Sequence, residues 1–257
     1  MHVGLQKTTL VNYPHRVAAA VFLPGCNLRC PYCYNGELVC ASVSEGPAAG
    51  QSLQGSANDY VPIEAVYEHI EKRKSVLRGF VISGGEALLS PVLPELILRA
   101  RSAGLAVKID TNGLLPDKVY ALLHNDALCP DMLAVDIKTA PARYHELHFW
   151  CPAGTESAAQ QPEAALKRTL KILQERETFC RLVEIEYRTV LVPPLVAAED
   201  ICAISELLPS DAAWRFAPFL PGNCLNPAWN TIRPYTQAET EDLIRIAAKK
   251  IPNSRLR

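Results

Sequence analysis

Six times along the chain, a short apolar run, β-branched in all but the last, is followed by a stretch of helical periodicity. That alternation limits the fold more than any other feature. The strand-length runs are RVAAAVFLP (16–24), GFVISGG (79–85), LAVKIDTNG (105–113), MLAVDIK (132–138), VEIEYRTVLVP (183–193) and AAWRFAPFL (212–220), the last weakened by Pro218. Helical stretches are predicted over 63–77, 92–104, 117–124, 163–175, 199–208 and 238–250. Within 92–104, Val92, Leu93, Leu96, Ile97 and Ala100 share one face and Gly104 is a natural stop; within 163–175, Leu166, Leu170 and Leu173 form the apolar stripe. Strands joined by right-handed helical crossovers lie parallel, side by side. The fold class is therefore α/β, either a doubly wound sheet or a partial, curved (β/α) barrel. Counting elements does not choose between them. In both, a ligand sits at the carboxyl ends of the strands.

Composition narrows the function classes. The 257 residues are 49% hydrophobic and 21% charged, which suits a globular core rather than a disordered chain. A net charge of −1 supplies no basic field, so nucleic acid is not an expected partner. The opening MHVGLQKTTLVNYP lacks the apolar core of a signal peptide, and no apolar run reaches membrane-spanning length, so the expectation is a cytoplasmic protein with no membrane partner. Nine cysteines are an odd number and six are scattered singly, which argues against a disulfide framework. One domain over 1–257 is expected, with an irregular Gly-, Ser- and Ala-rich insert at about 36–60 and a polar loop and helix at about 221–257. The insert is too long for an ordinary connection, so it reads as a lid, a partner-binding segment or a disordered loop.

The residues just after each strand carry the chemistry. After the first come Cys26, Cys30 and Cys33, three soft ligands within eight residues. A four-iron cluster on three thiolates leaves one iron open, whereas structural zinc needs a fourth ligand that only the distant Cys40 could supply. Three unliganded buried cysteines are the bland alternative. After the second strand come Ser83, Gly84, Gly85 and Glu86, where the glycines let backbone approach a ligand and Glu86 offers an acceptor for an ammonium group; a plain strand-to-helix turn reads the same way. Asp110, Thr111, Asn112 and Gly113 follow the third, either meeting ribose hydroxyls or capping the next helix. Asp136 and Lys138 follow the fourth on one face, as an ion pair in a site or a solvated salt bridge. Arg188 ends the fifth, placed for a carboxylate ligand or a structural acid.

Cys26-x3-Cys30-x2-Cys33, with aromatic Tyr32 before the last cysteine, resembles the signature of the radical S-adenosylmethionine superfamily, and SGGE, DTNG and DIK follow in the same order. Within it, GLQKTTLVNYPHRVAAAVFLPGCNLRCPYCYN, VKIDTNG, MLAVDIKTAPARY, YRTVLVP and PFLPGNCLNP are similar to anaerobic ribonucleoside-triphosphate reductase activating proteins, a likeness that runs from Gly4 to about Lys250. The resemblance implies a partial (β/α)6 TIM-like barrel and one [4Fe-4S] cluster on Cys26, Cys30 and Cys33, with S-adenosyl-L-methionine on the open iron. Tyr32 would lie against the adenine, with Cys33 and Tyr34 beside it. Gly84, Gly85 and Glu86 would meet the methionine amino group, Asp110, Thr111 and Asn112 the ribose, and Asp136 and Lys138 would complete the site. The implied chemistry is the cofactor's, so no side chain is assigned as catalytic acid or base. The implied partners are a glycyl-radical enzyme, as protein substrate, and a flavodoxin- or ferredoxin-type electron donor. The same motifs fit an activase of another glycyl-radical enzyme, or a radical enzyme acting on a small molecule or peptide. The chain departs from the pattern at Tyr34, where the family often has His, and at Ala87-Leu88, where it often has Pro-Thr. The insert carries no cysteine pairs, so a single cluster is expected.

Overall fold

The structure, a computed structural model, describes residues 1–47, 60–148 and 161–257. The six expected strands are β2 (Ala18–Leu23), β4 (Gly79–Gly84), β5 (Ala106–Thr111), β6 (Met132–Asp136), β7 (Glu184–Leu191) and β8 (Ala213–Pro218). They lie side by side in that order, each parallel to the next. Pro218 is tolerated because it closes its strand. Three strands escape the sequence pattern. β1 (His2–Thr9) and β3 (Tyr60–Pro62) add antiparallel pairs at one edge, and β9 (Ser254–Leu256) adds a parallel one at the other. β1 ends in the polar run Gln6-Lys7-Thr8, and the other two are three residues long, below the window in which periodicity is readable.

The helices are α1 (Gly36–Cys40), α2 (Ile63–Arg73), α3 (Leu93–Ser102), α4 (Pro116–Leu123), α5 (Pro162–Gln174), α6 (Ala198–Ser205) and α7 (Gln237–Ala248). The apolar faces of α2 to α7, through Val66, Ile97, Val119, Leu170, Ile204 and Leu243, join one core cluster with alternate strand residues such as Val107, Ile109, Val135, Tyr187 and Phe216. All the crossover helices thus cover the same side of the sheet. A doubly wound sheet would split them between two sides, so the one-sided layer is that of a partial barrel. The sheet is not closed, since β3 and β9 are its edges. Residues 36–47 of the expected insert form α1 and the turns after it, Tyr60 begins β3, and 48–59 lie outside the described residues.

The opposite side of the sheet is lined differently. Ala18, Ala20, Val81 and Met132 make a small second cluster closed by Tyr13, from the turn between β1 and β2. Tyr13 is 3% exposed, and a Cβ at Gly79 would lie 2.7 Å from its ring, so glycine there makes room for the plug. Arg257, just after β9, donates its backbone N–H to Phe216 O at 2.8 Å and a guanidinium N–H to Val11 O at 3.0 Å, which ties the far edge to the same turn. Replacing Tyr13 with Ala should empty this plug and cost about 3–5 kcal/mol of unfolding free energy, measured by urea titration; a cost under about 1 kcal/mol would show that the plug is not needed.

Candidate functional site

Two loops meet above the carboxyl ends of β2 and β4. Gly25 takes a positive φ of 81° and donates its N–H to Leu38 O at 2.8 Å. Gly85 N–H reaches Leu23 O and Glu86 N–H reaches Gly25 O, both at 2.8 Å. A Cβ on Gly85 would lie 2.1 Å from Gly25 O, so the glycine permits the approach. The cysteine loop is thereby pinned to the end of β4. Cys33 N–H closes a turn on Cys30 O at 3.0 Å, and Leu28 N–H points at Cys26 Sγ at 3.4 Å.

Glu86 sits beneath this junction. It is 1% exposed, and both carboxylate oxygens are taken. Oε1 accepts Leu88 N–H at 3.0 Å and the Thr111 hydroxyl at 2.8 Å; Oε2 accepts Asn112 N–H at 2.7 Å. Burial raises its pKa against the pull of those donors. Asn112 passes the connection on: its Nδ2 donates to Asn27 Oδ1 at 2.6 Å and lies 3.8 Å from Cys26 Sγ.

A cavity of about 190 Å³ opens above. Cys26, Cys30, Cys33, Tyr32, Tyr34, Gly84, Gly85, Asp110, Thr111, Asn112, Asp136 and Lys138 all line it. Every site residue implied by the resemblance is in that wall except Glu86, which lies under the floor; Gly113 and Arg188, read at strand ends, also lie outside it. Sequence reasoning had no signal for Leu28, Asn35, Val39 and Val190, which complete the wall with Ser83 of the Ser-Gly-Gly-Glu run. Cys26 and Cys30 are buried, Cys33 is half-buried, and all three are free thiols. Burial pushes the Cys26 thiol up to about 12 and raises Cys30 and Cys33 as well. Cys40 is exposed and does not line the cavity. Among the described residues, no three His, Cys, Asp or Glu side chains are gathered closely enough to hold one metal ion. The Tyr32 hydroxyl is buried, at 4% residue exposure, with no hydrogen-bond partner.

Tyr34 belongs to the wall for a structural reason. Its hydroxyl accepts Leu220 N–H at 2.6 Å, its carbonyl accepts Asn223 Nδ2 at 3.2 Å, and its ring stacks on Phe219 with 15° between planes. Leu225 N–H to Cys33 O and Asn226 N–H to Pro31 O, both at 2.9 Å, continue the seam between the cysteine loop and the segment after β8.

Below one side of the cavity runs a chain of alternating charges. Lys108 pairs with Asp110; Arg188 Nη1 lies 3.2 Å from Asp110 Oδ2; Arg188 Nε donates to Asp136 Oδ1 at 2.7 Å; Lys138 Nζ donates to Asp136 Oδ2 at 2.8 Å. Burial pushes both carboxyl pKa values up, but Arg188, with Lys108 on one side and Lys138 on the other, outweighs it and holds both below their ordinary value. Groups with depressed folded-state pKa values stabilise the fold above their unfolded pKa of about 3.9, and that stability is lost as pH falls through the folded values. Arg188→Met should cost about 3–5 kcal/mol at pH 7, because it takes the shared cation from two half-buried carboxylates and leaves each with one lysine. The gap from wild type should narrow as pH drops below about 4. Urea unfolding across that range checks it, and a pH-independent gap would contradict the assignment.

The comparisons with known proteins agree with this geometry. Residues 20–176 match the Radical SAM superfamily. The chain is 27% identical over 253 residues to a protein of Methanocaldococcus jannaschii provisionally named a glycyl-radical enzyme activating enzyme, covering 97% of this chain and 92% of that one. It is 32% identical over 129 residues to a 7-carboxy-7-deazaguanine synthase of Methanopyrus kandleri, covering 47% of this chain and 48% of that one. Its fold is similar to Streptococcus suis SuiB bound to S-adenosylmethionine (TM-score 0.56, 12% identity, 92% of this chain and 50% of that one). It is also similar to TYW1 with a lysine-pyruvate adduct bound (TM-score 0.54, 16% identity, 90% and 73%). With the family match spanning well over half of its length, a three-cysteine loop above a one-sided parallel sheet, and this fold likeness, the chain belongs to the radical SAM superfamily of enzymes.

Proposed function

We propose that the protein is an activating enzyme that generates a glycyl radical on a partner protein, anaerobic ribonucleoside-triphosphate reductase being the partner favoured by the sequence resemblance. The observation that carries the site assignment is the cavity, in which three free thiols face a ribose-sized polar turn and the charged pair Asp136–Lys138. The donor set fits the implied cofactors. Three soft thiols around one cavity suit the [4Fe-4S] cluster that the family implies, with Cys26, Cys30 and Cys33 as the residues that would hold it. The unpartnered Tyr32 hydroxyl is a buried polar group awaiting a ligand. Bound together, a [4Fe-4S] cluster on Cys26, Cys30 and Cys33 and S-adenosyl-L-methionine supply reductive cleavage of the cofactor and hydrogen abstraction from a glycine Cα.

The chain's own residues bind and orient. Gly84 and Gly85 present backbone at the cavity edge for the methionine amino group. Glu86 acts one layer down, holding Thr111 and Asn112 at the ribose. Lys138 lines the cavity and has ammonium hydrogens beyond the one given to Asp136, with which it would hold a ligand carboxylate. Leu28, Val39 and Val190 supply the apolar wall that keeps water from a reactive centre. The partner assignment draws on the activase-named relative that spans nearly the whole chain. An electron donor of flavodoxin or ferredoxin type is part of the same reading.

A second reading, radical chemistry on a small molecule, draws on the deazaguanine synthase relative, which covers about half of the chain. Product analysis separates the two. Anaerobically purified protein should contain about four iron and four sulfide per chain and form 5′-deoxyadenosine when reduced with S-adenosylmethionine. Cys30→Ala should lose the cluster and this product while staying folded, with a melting temperature close to that of the wild type stripped of its cluster. Incubation with an anaerobic ribonucleotide reductase should give a glycyl radical in the electron paramagnetic resonance spectrum. Stoichiometric zinc without iron would end the radical reading, and a normal cluster with no radical on any glycyl-radical enzyme would end the activase reading alone.

A further inference from the structure

Lys108 lies in the middle of β5 between Val107 and Ile109, and its side chain is completely buried. A lysine is hardly ever fully buried without a partner, because its charge loses its hydration. Its partners are acidic. The ammonium donates to Asp110 Oδ1, two residues nearer the cavity on the same face. Glu186, 6% exposed on β7, lies close enough to act on both Lys108 and Arg188, and its Oε1 has no hydrogen-bond partner.

The two oxygens of Asp110 are therefore held separately. Lys108 takes Oδ1 and Arg188 takes Oδ2. A carboxylate with one cation on each oxygen cannot rotate about its terminal torsion without breaking one contact. Asp110 lines the cavity; Lys108 and Arg188 do not. Arg188 is shared with Asp136, so it cannot by itself fix Asp110. Lys108 serves Asp110 from directly below.

We infer that Lys108 is a positioning residue for the nucleoside end of the S-adenosylmethionine site, because it locks the carboxylate of Asp110 in the orientation that meets the ribose hydroxyls. This rests on the reading above, in which Asp110 contacts the ribose. A purely structural Lys108 would do something different. It would neutralise Glu186 and Asp110, and any balanced replacement of the charges would leave the cofactor's affinity as it was.

The test is calorimetric titration of S-adenosylmethionine into anaerobically reconstituted protein without reductant, so that binding is read apart from turnover. Lys108→Met alone leaves buried acids uncompensated and is prone to unfold. The double variant Lys108→Met/Glu186→Gln removes one cation and one anion and preserves the balance. It is expected to keep the iron and sulfide content and the melting temperature of the wild type while binding S-adenosylmethionine about tenfold more weakly. Lys108→Arg, which restores a cation beside Asp110, should recover most of that loss. On an Asp110→Asn background the same double replacement should cost nothing further, since the contact it acts through is already gone. Wild-type affinity in the double variant, or an undiminished loss on the Asp110→Asn background, would overturn the inference. Failure of the wild-type protein itself to bind would overturn the cofactor reading and this inference with it, whereas binding by the wild type with unaltered variants overturns the inference alone.

Discussion

The site depends first on where Glu86 points. A buried carboxylate that accepts Leu88 N–H, Thr111 O–H and Asn112 N–H joins the ends of β4 and β5 in a single group. Asn112 then reaches across to Asn27, inside the cysteine loop. Three loops that arise from separate strands are thus set in one register by one side chain. Remove its charge-assisted bonds and the cysteine loop keeps its backbone contacts to Leu38, to the Gly85-Glu86 turn and to the segment after β8, but loses its fixed tie to the end of β5. The function of the glycines becomes clearer in this light. Gly85 lets the two loops touch, and Glu86 turns that contact into a fixed geometry.

The second requirement is electrical. An unclosed sheet has an inner side that cannot be filled like a closed barrel's layered core. Here the lower part is filled by Tyr13 and alanines, and the upper part by Lys108, Asp110, Arg188, Asp136 and Lys138. Such a chain costs desolvation and recovers it through its contacts, so it adds little to stability compared with apolar packing. What it adds is orientation. Asp110, Asp136 and Lys138 reach the cavity already ionised and already held, which is the condition under which polar groups discriminate among ligand poses without reorganising. The thiols sit at the other wall in the opposite state. Burial disfavours their ionised form, so a metal held there would have to offset that cost and its binding would be coupled to thiol ionisation.

Much of this was legible because the relevant signals are local. The six parallel strands β2 and β4 to β8 announced themselves as apolar runs between helical stretches, and the rim residues followed from the rule that ligands meet strand ends. Asp136 and Lys138 were readable as a pair from strand alternation alone. The edge strands were not legible, since β3 and β9 are held by pairing rather than by their own pattern. Glu86 shows a different limit. Its acidity was visible, but whether it faced the ligand or the floor depended on Thr111 and Asn112, some 25 residues away. Lys108 had no signal of its own in the sequence, and its burial is explained by Asp110 on the same strand together with Glu186 on β7.

Tyr34 is the extreme case of that limit, because its partner is 186 residues distant. Beside the cysteines it reads as a ligand-facing aromatic. Its hydroxyl is in fact committed to Leu220 N–H and its ring to Phe219. The segment after β8 therefore packs on the cysteine loop through Tyr34, Cys33 and Pro31, and Tyr32 leans on Trp229 from the same segment at 6.2 Å. The motif PFLPGNCLNP, a mere stretch of similarity in sequence, becomes the outer support of the cysteine loop. A hydroxyl at position 34 suits this support in a way that follows from geometry. It extends beyond the ring to an amide that has just left the sheet at Pro218, where no neighbouring strand remains to accept it.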